Sequence, residues 1–132
     1  ILDSERPHIQ KTTFLKAAQR MKWIQEGKWI IATSQVGSFE SGSARLLIVL
    51  GADVAIVASG NKKGEVRLST RASNRIVSDG FNLTTVLESV EDVNGGSAGG
   101  HPGAAGYNGK GDPEAITEIT KQKSISLIRE LP

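Results

Sequence analysis

The chain has 132 residues, 38% hydrophobic and 23% charged, with a formal net charge of +2 and no cysteine. That length suits one domain with one core, and the composition excludes a disordered or fibrous chain. Disulfides, thiolate metal sites and a cysteine nucleophile are excluded as well.

The longest apolar runs, Leu46–Leu50 and Val54–Ala58, fall far short of the ~20 residues of a spanning helix, so no membrane partner is expected. Residues Ile1 to Arg6 lack the basic-then-apolar order of a signal peptide, and a cytoplasmic location is the expectation. Residues 1–66 carry nine Lys/Arg against six Asp/Glu, whereas residues 67–111 balance at four against four. A bound polyanion would have to be held by placed groups and not by a basic field.

From Thr12 to Glu26, the residues Phe14, Ala17, Ala18, Met21 and Ile24 recur at three- and four-residue spacing. This predicts one helix, capped by Gly27. Lys28–Thr33 reads as a strand that ends in the polar turn Ser34–Ser38. Ser41–Leu50 reads as a helix stopped by Gly51, and Ala52–Ala58 as the strand after it. Such a strand–helix–strand unit implies parallel pairing through a right-handed crossover.

After a turn over Ser59–Gly64, Glu65–Arg71 alternates as a strand, forming a hairpin with its predecessor. The fold class is therefore α/β, a mixed central sheet flanked by helices. Leu83, Val86, Leu87 and Val90 mark an amphipathic helix. A glycine-rich stretch leads into a short strand over Ala104–Asn108. Asp112-Pro113-Glu114 then starts a last helix, with a capping residue, Pro at the first position and an acid in the first turn. That helix is expected to reach Arg129.

Eight of the fifteen glycines fall between Gly95 and Gly111, around His101. Glycine permits positive φ, so successive N–H groups could converge into a concave anion site. The alternative is a flexible connector. The spacing is neither that of a P-loop nor that of a dinucleotide fingerprint. In the Glu65–Arg71 strand, Val66, Leu68 and Thr70 share the core side while Arg67, Ser69 and Arg71 share the other. Two guanidiniums flanking a hydroxyl suit a phosphodiester, because the planar fork meets phosphate oxygens bidentately. A merely solvated sheet face is the alternative. His8 and His101 lie far apart, and the aspartates are scattered, so neither a metal centre nor a supported Ser-His-Asp triad is visible. Phe81 and Tyr107 are the aromatics nearest these motifs, as stacking surfaces or as core.

The strand Val66–Ser73, the helix after it and the segment Gly99-Gly100-His101-Pro102-Gly103-Ala104-Ala105-Gly106 together resemble the DHH-associated domain. This is the C-terminal lobe of phosphoesterases named for an Asp-His-His motif, among them RecJ-type exonucleases and nano-RNA and cyclic-dinucleotide phosphodiesterases. The resemblance covers about residues 28–130. Residues 1–27 then form an N-terminal helix and lead-in to a substrate-binding domain over residues 28–132, one domain overall.

The resemblance implies that Gly99, Gly100 and His101 grip substrate phosphate, with Pro102, Gly103, Ala104 and Ala105 completing the loop and Arg67, Ser69 and Arg71 serving from the strand. It also implies a separate DHH lobe carrying Mn or Mg, with no cofactor held by this chain. The implied partners are that lobe and single-stranded nucleic acid, a short oligonucleotide or a dinucleotide. Here Ser97-Ala98 separates Gly95-Gly96 from Gly99-Gly100-His101, where the family often runs Gly-Gly-Gly-His directly. A similar lobe ends alanyl-tRNA synthetases with a loop like Gly-Gly-Arg-Pro, so a non-catalytic tRNA-binding or assembly domain is the second reading. A structural module that pairs as a homodimer through the glycine segment is the third.

Overall fold

The computed structural model describes residues 6–132; Ile1–Glu5, most of the segment read as lacking a leader, lie outside them. In chain order the elements are α1 (His8–Arg20), β1 (Lys22–Glu26), β2 (Trp29–Gln35), α2 (Glu40–Leu50), β3 (Val54–Gly60), β4 (Glu65–Ala72), α3 (Asn74–Ser78), α4 (Leu83–Asn94), β5 (Ser97–His101), β6 (Ala104–Lys110) and α5 (Pro113–Arg129). The six strands form one sheet in the order β1-β2-β3-β4-β6-β5. Only β2 and β3 are parallel, and α2 is the crossover between them. The other neighbours are antiparallel, so the sheet is mixed, as the sequence pattern implies.

The two faces are covered unequally. On one, α4 and α5 close the main core, in which Ile31, Ile56, Leu68, Leu87, Tyr107 and Ile116 are buried. On the other, α1 and α2 bury a smaller cluster of Ala17, Ala32, Ala44, Leu47, Ala55 and Val57. Those residues belong to α1, α2, β2 and β3. The ends of the helices follow the sequence signals. Gly51 closes α2 at φ +130°, and Asp112 caps α5 by accepting from the Ala115 N–H. Among the described residues no helix is long and apolar enough to cross a membrane.

The expected helix over Thr12–Glu26 is wrong in its second half. Met21 leaves the helical region at ψ 135°, and Lys22–Glu26 pair with Trp29–Thr33 as the edge strand β1. Gly27, expected as a helix cap, has φ +61° in the two-residue link between β1 and β2. Glycine at the first central position is what a type II′ hairpin turn requires. The Met21/Ile24 spacing imitates a helix, but ladder bonds to β2 and packing of Ile24 on the main core decide the outcome. Residues 22–26, read from sequence as lead-in, thus belong to the sheet.

Asp53 ties three elements together before β3 begins. Its Oδ2 accepts from the Ile30 N–H at 3.0 Å and its Oδ1 from the Ser73 hydroxyl at 3.0 Å. Its backbone donates to Ile30 O at 2.8 Å and accepts from the Ser73 N–H at 2.7 Å. The start of β2, the start of β3 and the end of β4 are thereby held in register. Hydrogen bonds to a charged acceptor contribute about 1.5–3 kcal/mol each. Asp53→Ala is expected to lower stability by roughly 2–3 kcal/mol in urea unfolding; a loss below about 0.5 kcal/mol, the usual range of inert surface changes, would contradict this role.

Candidate functional site

The β4 strand divides its side chains as its alternation implies. Val66, Leu68 and Thr70 are buried, while Arg67 is exposed and Ser69 and Arg71 are half-buried on the opposite side. Register carries that side across the sheet, because directly paired residues share a face. Arg71 lies beside Ala104, Ser69 beside Gly106, and Arg67 beside Asn108. One strand further, Ala104 pairs with His101, Gly106 with Gly99, and Asn108 with Ser97. Three rows result: Arg71–Ala104–His101, Ser69–Gly106–Gly99 and Arg67–Asn108–Ser97. The outer two lie about 13 Å apart along the strands, four residues at the usual rise.

This is the part of the sheet that the buried cluster under α1 and α2 does not reach. It forms a shelf, with Arg71 and His101 at one end, Arg67 and Asn108 at the other and two glycines between them. Arg71 is half-buried and has no ion-pair partner among the described residues. Arg67, by contrast, donates from Nε to Asn108 Oδ1 at 3.3 Å and sets Nη1 3.7 Å from Glu40 Oε2.

The glycine segment is a β-hairpin, not the flexible loop or amide nest that its composition allows. Pro102 and Gly103 form the link between β5 and β6. Pro102 O accepts from the Leu83 N–H at 3.1 Å, and Gly103 O from the Ala72 N–H at 3.0 Å. The hairpin tip is thus bonded to α4 and β4. Consecutive N–H groups of a strand point to opposite edges, so those of residues 97–101 do not converge. On the outer edge the Ala98 N–H is taken by Glu91 Oε2 at 2.8 Å.

What the glycines provide on the shelf is space. A Cβ on Gly99 would meet nothing within 4 Å, and one on Gly106 would touch only Leu68 O, at 3.5 Å. Neither residue has a positive φ. The fold therefore does not need glycine at either position, although both sit in the middle row of the shelf. Gly100 differs: its φ is +143°, and a Cβ there would lie 2.5 Å from Ala104 O. Gly95 closes α4, and Gly96 packs against Tyr107, which gives both residues before the Ser97-Ala98 spacer a structural role.

Of the residues selected from sequence, Arg67, Ser69, Arg71, Gly99, His101 and Ala104 share the shelf face. Gly100 and Ala105 form the pair that falls on the other side, where Ala105 joins the main core. Pro102 and Gly103 are at the hairpin tip. Phe81 and Tyr107 are both core, at 1% and 0% exposure, so neither is a stacking surface. The Tyr107 hydroxyl donates to Gly95 O at 2.7 Å and accepts from Asn94 Nδ2 at 2.8 Å. Sequence reasoning missed Asn108 and Glu40, whose places depend on a strand partner and a helix start. Among the described residues no three His, Cys, Asp or Glu side chains gather as a metal site.

Comparison with known proteins agrees with this architecture. The family model described as "DHHA1 domain" matches residues 43–127. The uncharacterized protein MJ0988 of Methanocaldococcus jannaschii is 34% identical over 128 residues, which are 96% of this chain and 39% of that protein. The chain thus spans about two fifths of the length of this curated relative. Among solved structures, the C-Ala domain of Aquifex aeolicus alanyl-tRNA synthetase superposes with a TM-score of 0.61 at 24% identity, covering 80% of this chain and 97% of that one. RecJ of Thermus thermophilus, solved with Mg2+, gives 0.61 at 18% identity, covering 98% of this chain and 19% of RecJ. At these identities the two structures are alike in fold.

The sorting of the glycines predicts opposite effects on stability. Gly99→Ala and Gly106→Ala should leave the melting temperature unchanged or raised, since alanine in a strand is easier to order than glycine by about 0.5–1 kcal/mol. Gly100→Ala should cost about 1–3 kcal/mol through backbone strain and overlap. Thermal unfolding of the three variants checks this, and a Gly99→Ala protein as damaged as Gly100→Ala would refute it.

Proposed function

The chain belongs to the DHHA1 domain family, and on that premise we propose that its β4–β6–β5 shelf is the nucleotide-gripping surface of a DHH-type phosphoesterase. Arg71 and His101 flank one end of a strip whose middle row has two glycines, and Ser69 stands in that same row. A guanidinium that is half-buried without a counter-ion is poised for an anion. The missing Cβ atoms let the ligand backbone lie close to the sheet. The carrying observation is that Arg71, which has no ion-pair partner among the described residues, stands beside Gly99 and Gly106, two glycines that the fold itself does not require.

On this reading the chain binds and orients, and hydrolysis belongs to a DHH lobe that holds Mn or Mg and activates water there. The ligand is single-stranded nucleic acid, a short oligonucleotide or a dinucleotide, held mainly through its phosphates. Phosphate contacts fix position without reading sequence. Apart from the His101 imidazole, no residue on the shelf face is aromatic, so stacking contributes little.

A second reading has its own support, because the fold covers nearly the whole of the synthetase C-Ala domain. A tRNA-binding role of that type would draw on the basic first half of the chain. It predicts that His101→Ala leaves tRNA affinity almost intact.

Titration with the dinucleotide pApA, followed by amide chemical shifts, separates the two. The expected response is centred on residues 67–71 and 99–106. Arg71→Gln should weaken binding roughly tenfold or more, the scale of a lost charge-assisted hydrogen bond. Gly99→Ala should weaken it comparably while leaving the fold intact. Affinity should fall with salt at a slope of about −0.7 to −1.4 on logarithmic axes, as expected for one or two contacted phosphates of a single strand. Amides at 99–105 that stay still while others move would overturn the proposal.

A further inference from the structure

The Arg67 end of the shelf opens into a cleft of about 820 Å3, lined by Glu40 at the start of α2, by Asn61 just after β3, by Asn94 and Asn108, and by the charged pair of neighbours Glu65 and Lys110. Glu40 is the unusual group in it. The residue is 8% exposed. Its one contact with a cation is the Arg67 pair at 3.7 Å, and none of the side-chain hydrogen bonds from the described residues goes to it. Its carboxylate opens onto the cleft and can accept as many as about four hydrogen bonds. The residue before it, Phe39, is the one non-glycine residue with positive φ among those described, at +58°, and it caps the helix with no side-chain hydrogen bond. Helix starts favour Ser, Thr, Asp or Asn there. Strain of this kind persists where the surroundings fix it, and here it sets the first turn of α2 over the cleft.

We propose that Glu40, with Asn108 beside it, accepts hydrogen bonds from the ribose hydroxyls of the bound nucleotide and makes this site prefer ribonucleotides to deoxyribonucleotides. The inference rests on the shelf being the phosphate-binding surface. A carboxylate repels phosphate and offers only acceptors, so the ligand group beside it must carry donors and no negative charge. Arg67 bridges Glu40 and Asn108 at the edge of the shelf; a phosphate of the bound strand that meets Arg67 then lies within one guanidinium of those donors. In a nucleotide the sugar hydroxyls are the donors bonded that near to phosphate, and the base edges lie further away. The 2′-hydroxyl is also the group by which a protein distinguishes RNA from DNA. Carboxylates accept from it in dinucleotide-binding folds of a different kind.

The test compares pApA with its 2′-deoxy counterpart on the 132-residue chain, by chemical-shift titration. Wild type is expected to bind the ribose form roughly tenfold more tightly, the scale of one hydrogen bond to a charged acceptor. Glu40→Gln should bring the ratio below about twofold and should leave the deoxy form bound as well or better, because a repulsive charge has gone. A purely structural role for Glu40 would instead weaken both ligands alike. Glu40→Asp, which keeps the charge, should keep a ribose preference, so the outcome does not depend on one variant folding. Equal binding of the two dinucleotides on the shelf overturns the inference and leaves the phosphate-binding reading standing. A preference that follows the base and not the sugar, in a parallel titration with pUpU, also overturns it. No response on the shelf to either dinucleotide overturns both.

Discussion

The two faces of the sheet are covered by different amounts of helix. On the main-core side α4 and α5 reach from β1 to β5. On the other side α1 and α2 bury the surface of β2 and β3 and border β4. Every strand must therefore be apolar toward the first side, but β4, β6 and β5 are free of that demand on the second. This explains why Val66, Leu68, Ala105 and Tyr107 are buried while their immediate neighbours in sequence are charged, polar, glycine or the half-buried Ala104. A strand alternates with period two, so burying one set of β4 side chains necessarily presents Arg67, Ser69 and Arg71 together. The shelf is the remainder left by incomplete coverage, and register alone aligns its rows.

That origin also separates residues needed by the fold from residues free to serve a ligand. Gly96, Gly100 and Gly109 would each bring a Cβ against backbone or the Tyr107 ring. Their presence follows from packing. Gly99 and Gly106 have no such reason, and they are the two that lie in the centre of the shelf. Among the shelf arginines the same distinction appears. Arg67 is engaged by Asn108 and Glu40, whereas Arg71 has no ion-pair partner among the described residues. On the proposed reading, partnered groups shape the site and Arg71 is left for the ligand.

Much of this was legible in the sequence where local pattern and tertiary structure agree. The alternation of Glu65–Arg71 fixed which residues share a face, and the Asp112-Pro113-Glu114 signal placed the start of α5. The β1 strand was misread because Met21 and Ile24 fit both a helical spacing and a strand, and pairing with β2 decides between them. β5 was invisible because Ser97-Ala98-Gly99-Gly100-His101 has almost no β-propensity. It is a strand through its partners, held by β6 on one edge and by Glu91 on the other. Asn108 and Glu40 lay beyond reach for a related reason. Their positions next to Arg67 come from a cross-strand register and a helix crossing, separated from Arg67 by 41 and 27 residues.

The net charge of +2 bears on how such a surface selects. A strongly basic field attracts any polyanion and loses much of its affinity as salt rises. Here the cations are few, and one of them is offset by a carboxylate, so long-range attraction is weak and placement governs. The shelf is also unlike at its two ends. Arg71 and His101 offer donors, with nothing acidic paired to Arg71 among the described residues, while the Arg67 end combines Arg67 and Lys110 with Glu40, Glu65 and the amides of Asn94 and Asn108. On the proposed reading, an anion is held most firmly at the first end, and donor-bearing groups are accepted at the second. Placing acid beside arginine weakens a grip on phosphate at that end and leaves the stronger anion site at Arg71.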